Sequence, residues 1–258
     1  MGKAYPEDFH KDRDKKTRHA AEIVVSRLLE IVPSVTSAVD VGCGIGTWLA
    51  VLKEHGTEEI HGIDGDWVRN EMLMIPPTCF TRANLYEPFD LGRKYDLAIS
   101  LEVAEHLPQE SAATFIDSLT GLSDVVLFSA AIPGQGGINH LNEQWPNYWE
   151  AYFRERSFMV LDVIRNTIWN DETIPVWYRQ NILLFVKENY LQKLPAQYRN
   201  HCRDLERPLA IVHPSLYKEK LNVRMSAKDC VMAIRDYLFN IVKRSIKKLI
   251  NARRHPDY

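Results

Sequence analysis

Apolar positions alternate between two rhythms along most of the chain. Residues 17–32 carry Val24, Leu28 and Ile31 at helical spacing, and Pro33 closes the run, so an amphipathic helix is predicted there. SAVDV at 37–41 reads as a buried strand. GTWLAVLKEHG returns to helical spacing and ends at Gly56. Strand-like runs recur as EIHGID (59–64), CFTRA (79–83), YDLAIS (95–100) and DVVLFSA (124–130). Between the last two, QESAATFIDSLTG is a helical pattern with Ala112, Phe115, Ile116 and Leu119 on its inner face and Gly121 closing it. FMVLDVI (158–164) and NILLFV (181–186) predict two further strands around the segment 165–180. Strands alternating with helices predict βαβ units and a parallel sheet, an α/β fold.

Beyond residue 186 the rhythm changes. Pro195, Pro208 and Pro214 break the chain, and few strand signals remain. Ser226–Asp229 has the spacing of a capping box, after which Val231, Ile234, Leu238, Ile241, Val242 and Leu249 form a helical stripe. Lys243, Arg244, Lys247 and Lys248 crowd its end. Three parts are therefore expected: an N-terminal helical segment (1–34), an α/β domain (35–186) and a basic helical C-terminal extension (187–258).

Charge sharpens that division. Residues 1–186 hold 16 Lys+Arg against 27 Asp+Glu, and residues 187–258 hold 16 against 7. An acidic body gives no expectation of nucleic-acid binding. The basic end suits a helix docked on the body with a solvated tip, or one that meets an anionic membrane or an acidic partner. The start, MGKAYPEDFHKDRDKK, has no apolar core and reads as no secretory leader, and Pro6 stands where a myristoylation signal wants Ser or Thr. No apolar run reaches 18 residues. Cys43, Cys79, Cys202 and Cys230 are far apart and form no CxxC, which fits a reducing cytoplasm, with the tail peripheral to the inner face of the membrane.

The sharpest local signal is Val39-Asp-Val-Gly-Cys-Gly-Ile-Gly-Thr-Trp48. A strand ends, glycines follow at 42, 44 and 46, and a helix begins. Such glycines permit a tight turn and let a ligand reach the backbone, and the helix start offers N–H groups to an anion. The dinucleotide pattern G-x-G-x-x-G would need glycine at 47, where Thr47 stands, and Asp40 precedes the glycines where that pattern is apolar. Cys43 reads as a small filler of the turn.

VDVGCGIG resembles the first motif of class I S-adenosylmethionine-dependent methyltransferases, and the resemblance extends over residues 35–186. It implies a Rossmann-like seven-stranded sheet, mostly parallel with an antiparallel last strand, and S-adenosylmethionine as cofactor. It implies a cofactor site at Asp40, Gly42, Cys43, Gly44 and Gly46. Asp64, followed by Gly65, would grip the ribose hydroxyls. Asn84 and Leu85 would stand at the adenine, where the family usually has Asp. Leu101 and Glu102 lie in SLEVAEHLP, similar to an E-x-x-E-H-like run of many members. Trp67 either packs locally or stacks near the adenine. Glu102 and His106 either pair with each other or line the methyl-transfer cleft. The stretch 128–149 resembles a subset met in bacterial glycan and secondary-metabolite pathways.

Ligands of open α/β sheets bind beyond the carboxyl ends of the strands. The loop after the fifth strand, 131–146, belongs on that edge and carries His140, Glu143, Gln144 and Trp145 among its glycines. Topology would also bring Trp169, Trp177, Tyr178, Arg179 and Gln180 there, as aromatic and polar groups suited to a sugar ring or to packing of the sheet edge. A sulfonium methyl needs alignment and a desolvated acceptor. An alcohol also benefits from a base; His140 is the candidate, oriented by Glu143, with His106 competing. No Asp-Asp-Asn or His-rich cluster stands out, so metal independence is expected. The expected reaction is O-methylation of a glycan, nucleotide sugar or similar polar metabolite. The rivals are N-methylation of a natural product and a non-catalytic cofactor-binding module that regulates a partner.

The tail yields the first prediction. Six basic residues lie between 243 and 254. At about 1 kcal/mol each near an anionic surface they suffice for weak, reversible attachment. Full-length protein should co-sediment with anionic vesicles and a chain ending near residue 228 should not; equal, negligible binding by both returns the tail to a structural role.

Overall fold

The computed structural model describes residues 7–199, 208–221 and 235. It contains a single seven-stranded sheet in the order β3-β2-β1-β4-β5-β7-β6. The strands are β1 (Ser37–Val41), β2 (Glu59–Asp64), β3 (Phe80–Arg82), β4 (Leu97–Leu101), β5 (Val125–Ser129), β6 (Phe158–Leu161) and β7 (Leu183–Lys187). β1 to β5 pair in parallel, and β7 runs antiparallel to both β5 and β6. This is the mixed sheet that the resemblance implies. The order reverses direction between β1 and β4, which places a topological switch point between them.

Helices cover both faces. α1 (Glu7–Ile31), α2 (Thr47–Glu54) and α5 (Ile164–Ile168) close one side through Val24, Leu28, Leu49, Leu52 and Ile168. α3 (Ala112–Leu122) and α4 (Pro146–Glu155) close the other through Phe115, Leu119, Trp149 and Phe153. Successive strand residues serve opposite faces, as the pleat requires: Leu184 joins the first cluster, while Phe185 stacks on Phe153 with ring centroids 3.8 Å apart. β1, β4 and β5 are buried along their whole length. Three short helices complete the described chain: α6 (Val176–Asn181), α7 (Ala196–Arg199) and α8 (Pro214–Leu221).

Several boundaries differ from expectation. α1 begins at Glu7 rather than at 17, because only its second half shows the apolar stripe that periodicity detects. Gly121 lies inside α3, which continues to Leu122. β4 starts at Leu97, not Tyr95, because Asp96 turns its side chain onto the start of β1. Its Oδ2 accepts from the amides of Thr36 and Ser37 (2.9 Å each) and from their hydroxyls (2.7 and 3.0 Å). The first compact unit runs from Met1 to Leu216 and the second from Tyr217 to Tyr258, so the boundaries expected at 34/35 and 186/187 both fall inside the first. The capping box and the stripe 231–249, apart from residue 235, lie outside the described residues. Among the described residues no helix is long and apolar enough to cross a membrane.

Burial raises the Asp96 carboxyl's pKa, but its hydrogen bonds to Thr36 and Ser37 outweigh that and hold it below the usual carboxylate range. A folded-state pKa below the unfolded value gives stability that is complete above the unfolded pKa, about 3.9, and lost as pH falls through the folded one. Asp96→Ala should therefore cost about 1–3 kcal/mol at pH 7 in urea unfolding. The gap between wild type and variant should narrow below about pH 4; a gap that does not change with pH contradicts this account.

Candidate functional site

β1 to β5 all deliver their carboxyl ends to one edge. The turn after β1 is held by the Gly42 and Cys43 amides, which donate to Ile63 O at 2.7 and 3.2 Å. Gly42, Gly44 and Gly46 have φ of +80°, +56° and +88°, a region that L side chains rarely adopt. Gly42 is also forced sterically, since a Cβ there would sit 2.4 Å from Val103 Cγ2, just after β4. Gly44 by contrast faces open space, with only the tip of Trp67 within 4.0 Å. Gly46 leads directly into α2, whose first N–H groups have no partner within the helix. Cys43 fills the turn against Gly62, and burial pushes its thiol far up, so it stays protonated.

Two carboxylates meet at this turn. Asp40, in β1, is 2% exposed, and burial followed by the charge of Asp64 raises its pKa well above the usual range. Asp64 ends β2 and is 6% exposed. Its Oδ2 accepts from the Gly44 amide at 2.7 Å; its Oδ1 accepts from the Gly65 amide at 2.7 Å and from the Trp67 indole at 2.9 Å. Burial nonetheless leaves its pKa raised. Buried carboxylates that repel one another suit a cationic ligand, and the aspartate at the end of β2 suits ribose hydroxyls that would replace the indole. Asn84, beyond β3, uses its amide locally: Oδ1 accepts from the Tyr86 amide at 3.1 Å and Nδ2 donates to Glu87 at 3.1 Å. Leu85 beside it is buried.

The other half of the edge is built by β4, β5 and the loop 131–146. Leu101 ends β4, and Glu102 follows at φ +57°, a strained conformation for a non-glycine residue. Its carboxylate accepts from Gln135 Nε2 at 2.9 Å and Asn181 Nδ2 at 3.0 Å, and Asn181 also donates to Gln135 Oε1 at 2.9 Å. The loop is tethered rather than loose. The Leu141 and Asn142 amides donate to Glu105 O at 2.7 and 3.0 Å. Glu143 accepts from the Gly134 amide (2.8 Å), the Gly136 amide (2.6 Å) and His140 Nδ1 (2.8 Å). Burial raises the Glu143 pKa, but these three bonds prevail and hold it low. His106 donates from Nδ1 to Asn139 O at 3.3 Å, and its ring meets that of His140 edge-on with centroids 4.8 Å apart. Gly137 lies directly against the His140 ring, since a Cβ there would fall 2.1 Å from its Nε2.

The expected site is thus brought together from both halves, with one correction. Tyr178 and Arg179, expected beside the acceptor, are buried. Tyr178 packs edge-on against Trp48 at 5.4 Å, Arg179 donates to Trp169 O at 3.3 Å, and Trp177 is half-buried in the same cluster. Gln180 is likewise internal, with its amide on Ile211 O at 2.6 Å. The short helix α6 turns these side chains inward and presents Asn181 to the edge. Gln144 bonds Asn142 at 2.9 Å, and Trp145 stands 41% exposed at the start of α4. Sequence reasoning missed Glu105, Gln135 and Asn181; the position of Asn181 just before an antiparallel strand was the available signal. A cavity of about 540 Å³ lined by Lys53, His61, Ile75 and Tyr95 contains none of these side chains.

A family profile described as a methyltransferase domain matches residues 12–166. The chain belongs to the S-adenosylmethionine-dependent methyltransferases. Sequence comparison with curated proteins gives no match. Among solved structures, the magnesium protoporphyrin IX methyltransferase of Synechocystis PCC 6803, determined with S-adenosylmethionine bound, is 21% identical with a TM-score of 0.51, over 72% of this chain and 87% of that one. The sugar N-methyltransferase of Streptoalloteichus sp ATCC 53650 is 18% identical with a TM-score of 0.53, over 72% and 95%. At these identities the likeness is one of fold. This methyltransferase uses S-adenosylmethionine, and the glycine turn, Asp40 and Asp64 fit it: open space at Gly44, acceptors for hydroxyls and buried negative charge for a sulfonium. When bound, the cofactor supplies an activated methyl group.

Asp64→Ala should weaken S-adenosylhomocysteine binding by about 2–3 kcal/mol, because ligand hydroxyls would be left without an acceptor. Calorimetry on a variant that still unfolds cooperatively is the measurement; unchanged affinity would remove Asp64 from the site.

Proposed function

We propose that this methyltransferase transfers its methyl group to a hydroxyl of a polar acceptor, such as a glycan, a nucleotide sugar or a similar metabolite. The observation that carries the reading is the His140–Glu143 pair beside His106, on the sheet edge that also holds the glycine turn and Asp64. An amine arrives with a lone pair once neutral, whereas a hydroxyl must lose its proton, and this wall is where it does so. Glu143 fixes the His140 ring through Nδ1, which leaves Nε2 as its basic nitrogen. Ile138, Leu141 and Trp145 are exposed along the same loop, next to Gln144. Apolar faces beside amide groups suit a sugar, whose ring presents both C–H and O–H surfaces.

The test is methyl transfer into a pool of nucleotide sugars and polar glycans, with the product's methylated atom identified by mass spectrometry. His140→Ala should reduce turnover by about 100- to 10,000-fold with little change in cofactor affinity. His140→Gln should not restore it, because an amide orients a hydroxyl but takes no proton at neutral pH. An N-methylated product, made equally well by His140→Ala and His106→Ala variants, would replace this reading with N-methylation.

A further inference from the structure

We propose that the cavity of about 540 Å³ beside the first half of β2 binds an α-amino acid with a bulky apolar side chain, and that this occupant tightens cofactor binding through Ile75. The volume is that of a ligand cleft. It arises from a gap in the fold. Parallel strands are usually joined by a helix, yet residues 65–79, between β2 and β3, contain 3-10 turns and no α-helix. Pro76 and Pro77 remove two amides and bar a helical interior, so the segment closes on the short turn Pro77–Cys79. The strand that follows has three residues and pairs with Gly62–Asp64. Glu59, Ile60 and His61 therefore have no strand on that side, and Ala50 and Lys53 of α2 line the space beside them.

The lining divides into an apolar floor and a charged rim. Ile60, Ile75 and Tyr95 are buried, whereas Lys53, Glu54, Glu58, Glu59 and Arg93 are exposed. Most of the rim is already paired. Glu54 accepts from Arg18 at 2.8 Å, and Glu59 pairs with Arg93 at 2.6 Å, whose guanidinium lies 4.7 Å over the Tyr95 ring. Two charges remain. Lys53 Nζ donates to the Glu58 carbonyl at 2.5 Å, which sets its ammonium beside residue 58. Among the described residues, neither Lys53 nor the Glu58 carboxylate forms an ion pair. A simple anion would face more carboxylates than cations on this rim, and a simple cation would face Lys53. An α-amino acid carries both signs side by side: its carboxylate suits Lys53, its ammonium suits Glu58, and its side chain covers the floor. The same two groups can also bond the uncovered backbone edge of β2.

Ile75 is the wall between this cavity and the cofactor turn. It is buried, and a Cβ on Gly46 would lie 3.0 Å from it and one on Gly62 3.2 Å. The amide of Met74, the residue before it, donates to Ile45 O at 2.8 Å, inside the glycine turn. A side chain that fills the cavity packs on Ile75 and holds it against Gly46 and Gly62. The turn is then fixed in its positive-φ shape before the cofactor arrives, and the cofactor has less freedom to remove from it. Linkage makes the effect reciprocal, so the cofactor tightens the amino acid by the same factor.

Calorimetry on the full-length protein with L-phenylalanine, L-tryptophan and L-leucine is the test, and at least one should bind saturably. 3-Phenylpropionate, which lacks the ammonium, should bind at least about tenfold more weakly than L-phenylalanine. Lys53→Glu, an exposed change, should weaken the amino acid to a similar degree, and Ala50→Phe, which fills the cavity, should abolish its binding. Should Ala50→Phe fail to fold, Lys53→Glu decides. With the amino acid bound, S-adenosylhomocysteine affinity should rise about fivefold or more, and Lys53→Glu should lose that gain. No saturable binding of the three amino acids, or affinity unchanged in Lys53→Glu, overturns the site. Equal binding of 3-phenylpropionate overturns the amino acid as its occupant. Binding that leaves S-adenosylhomocysteine affinity unchanged overturns the coupling through Ile75. No acceptor is present in these measurements, so they stand apart from the hydroxyl reading.

Discussion

Burial of the sheet on both faces is the constraint from which the rest follows. β1, β4 and β5 are enclosed along their whole length by helices on either side. A side chain that must meet water or a cofactor has no place on those faces, and the carboxyl ends of the parallel strands are where the chain can present one. The switch point between β1 and β4 opens the sheet at that edge. Val103 closes tightly on Gly42 at the base of the opening, so the glycine there is a packing requirement as well as a turn requirement. Asp40, Asp64, Glu102 and Glu105 all lie at or next to these strand ends, where an apolar interior changes into a polar rim.

The same edge shows how a glycine-rich loop becomes rigid. Residues 131–146 lie outside regular structure except where α4 begins, yet they are held at several points. Glu143 gathers two amides and an imidazole, and the Glu105 carbonyl gathers two more amides. The glycines give the backbone its reach, and the carboxylate sets where His140 points. Glu102, Gln135 and Asn181 tie β4, the loop and α6 into one network. Positioned groups of this kind need no reorganisation during reaction, and electrostatic catalysis depends on that.

Much of this was legible in the sequence, and the limits have physical causes. Strands buried on both faces, β1, β4 and β5, print as short apolar runs, and the other four kept enough β-branched and aromatic residues to be found within a few residues. The glycine spacing and Asp64 follow from local geometry and were equally plain. His140 and Glu143, three apart in one loop, pair as read. Residues whose roles depend on contacts between distant segments were not visible. Tyr178 and Arg179 look like edge residues until Trp48 and the Trp169 carbonyl draw them inward. Glu105 looks like an ordinary polar residue after a strand; only the fold shows it sealed beneath the loop with His140 above the same spot.

The carboxylates also bear on stability. Burying a charge without a partner is costly, and a group so placed shifts its pKa instead of remaining ionised. Burial raises the pKa values of Asp40, Asp64, Glu102 and Glu105, so the ligand-free fold disfavours their charged forms even where hydrogen bonds oppose the shift. Replacing Asp40 or Asp64 with an apolar residue would relieve that cost and remove the carboxylates that fit the cofactor. A cationic cofactor offsets it differently, because the ligand brings the missing charge and binds only the folded chain. Its binding energy then adds to the stability of the fold according to concentration. Stability and function are coupled here through the sign of the charge that the strand ends were built to receive.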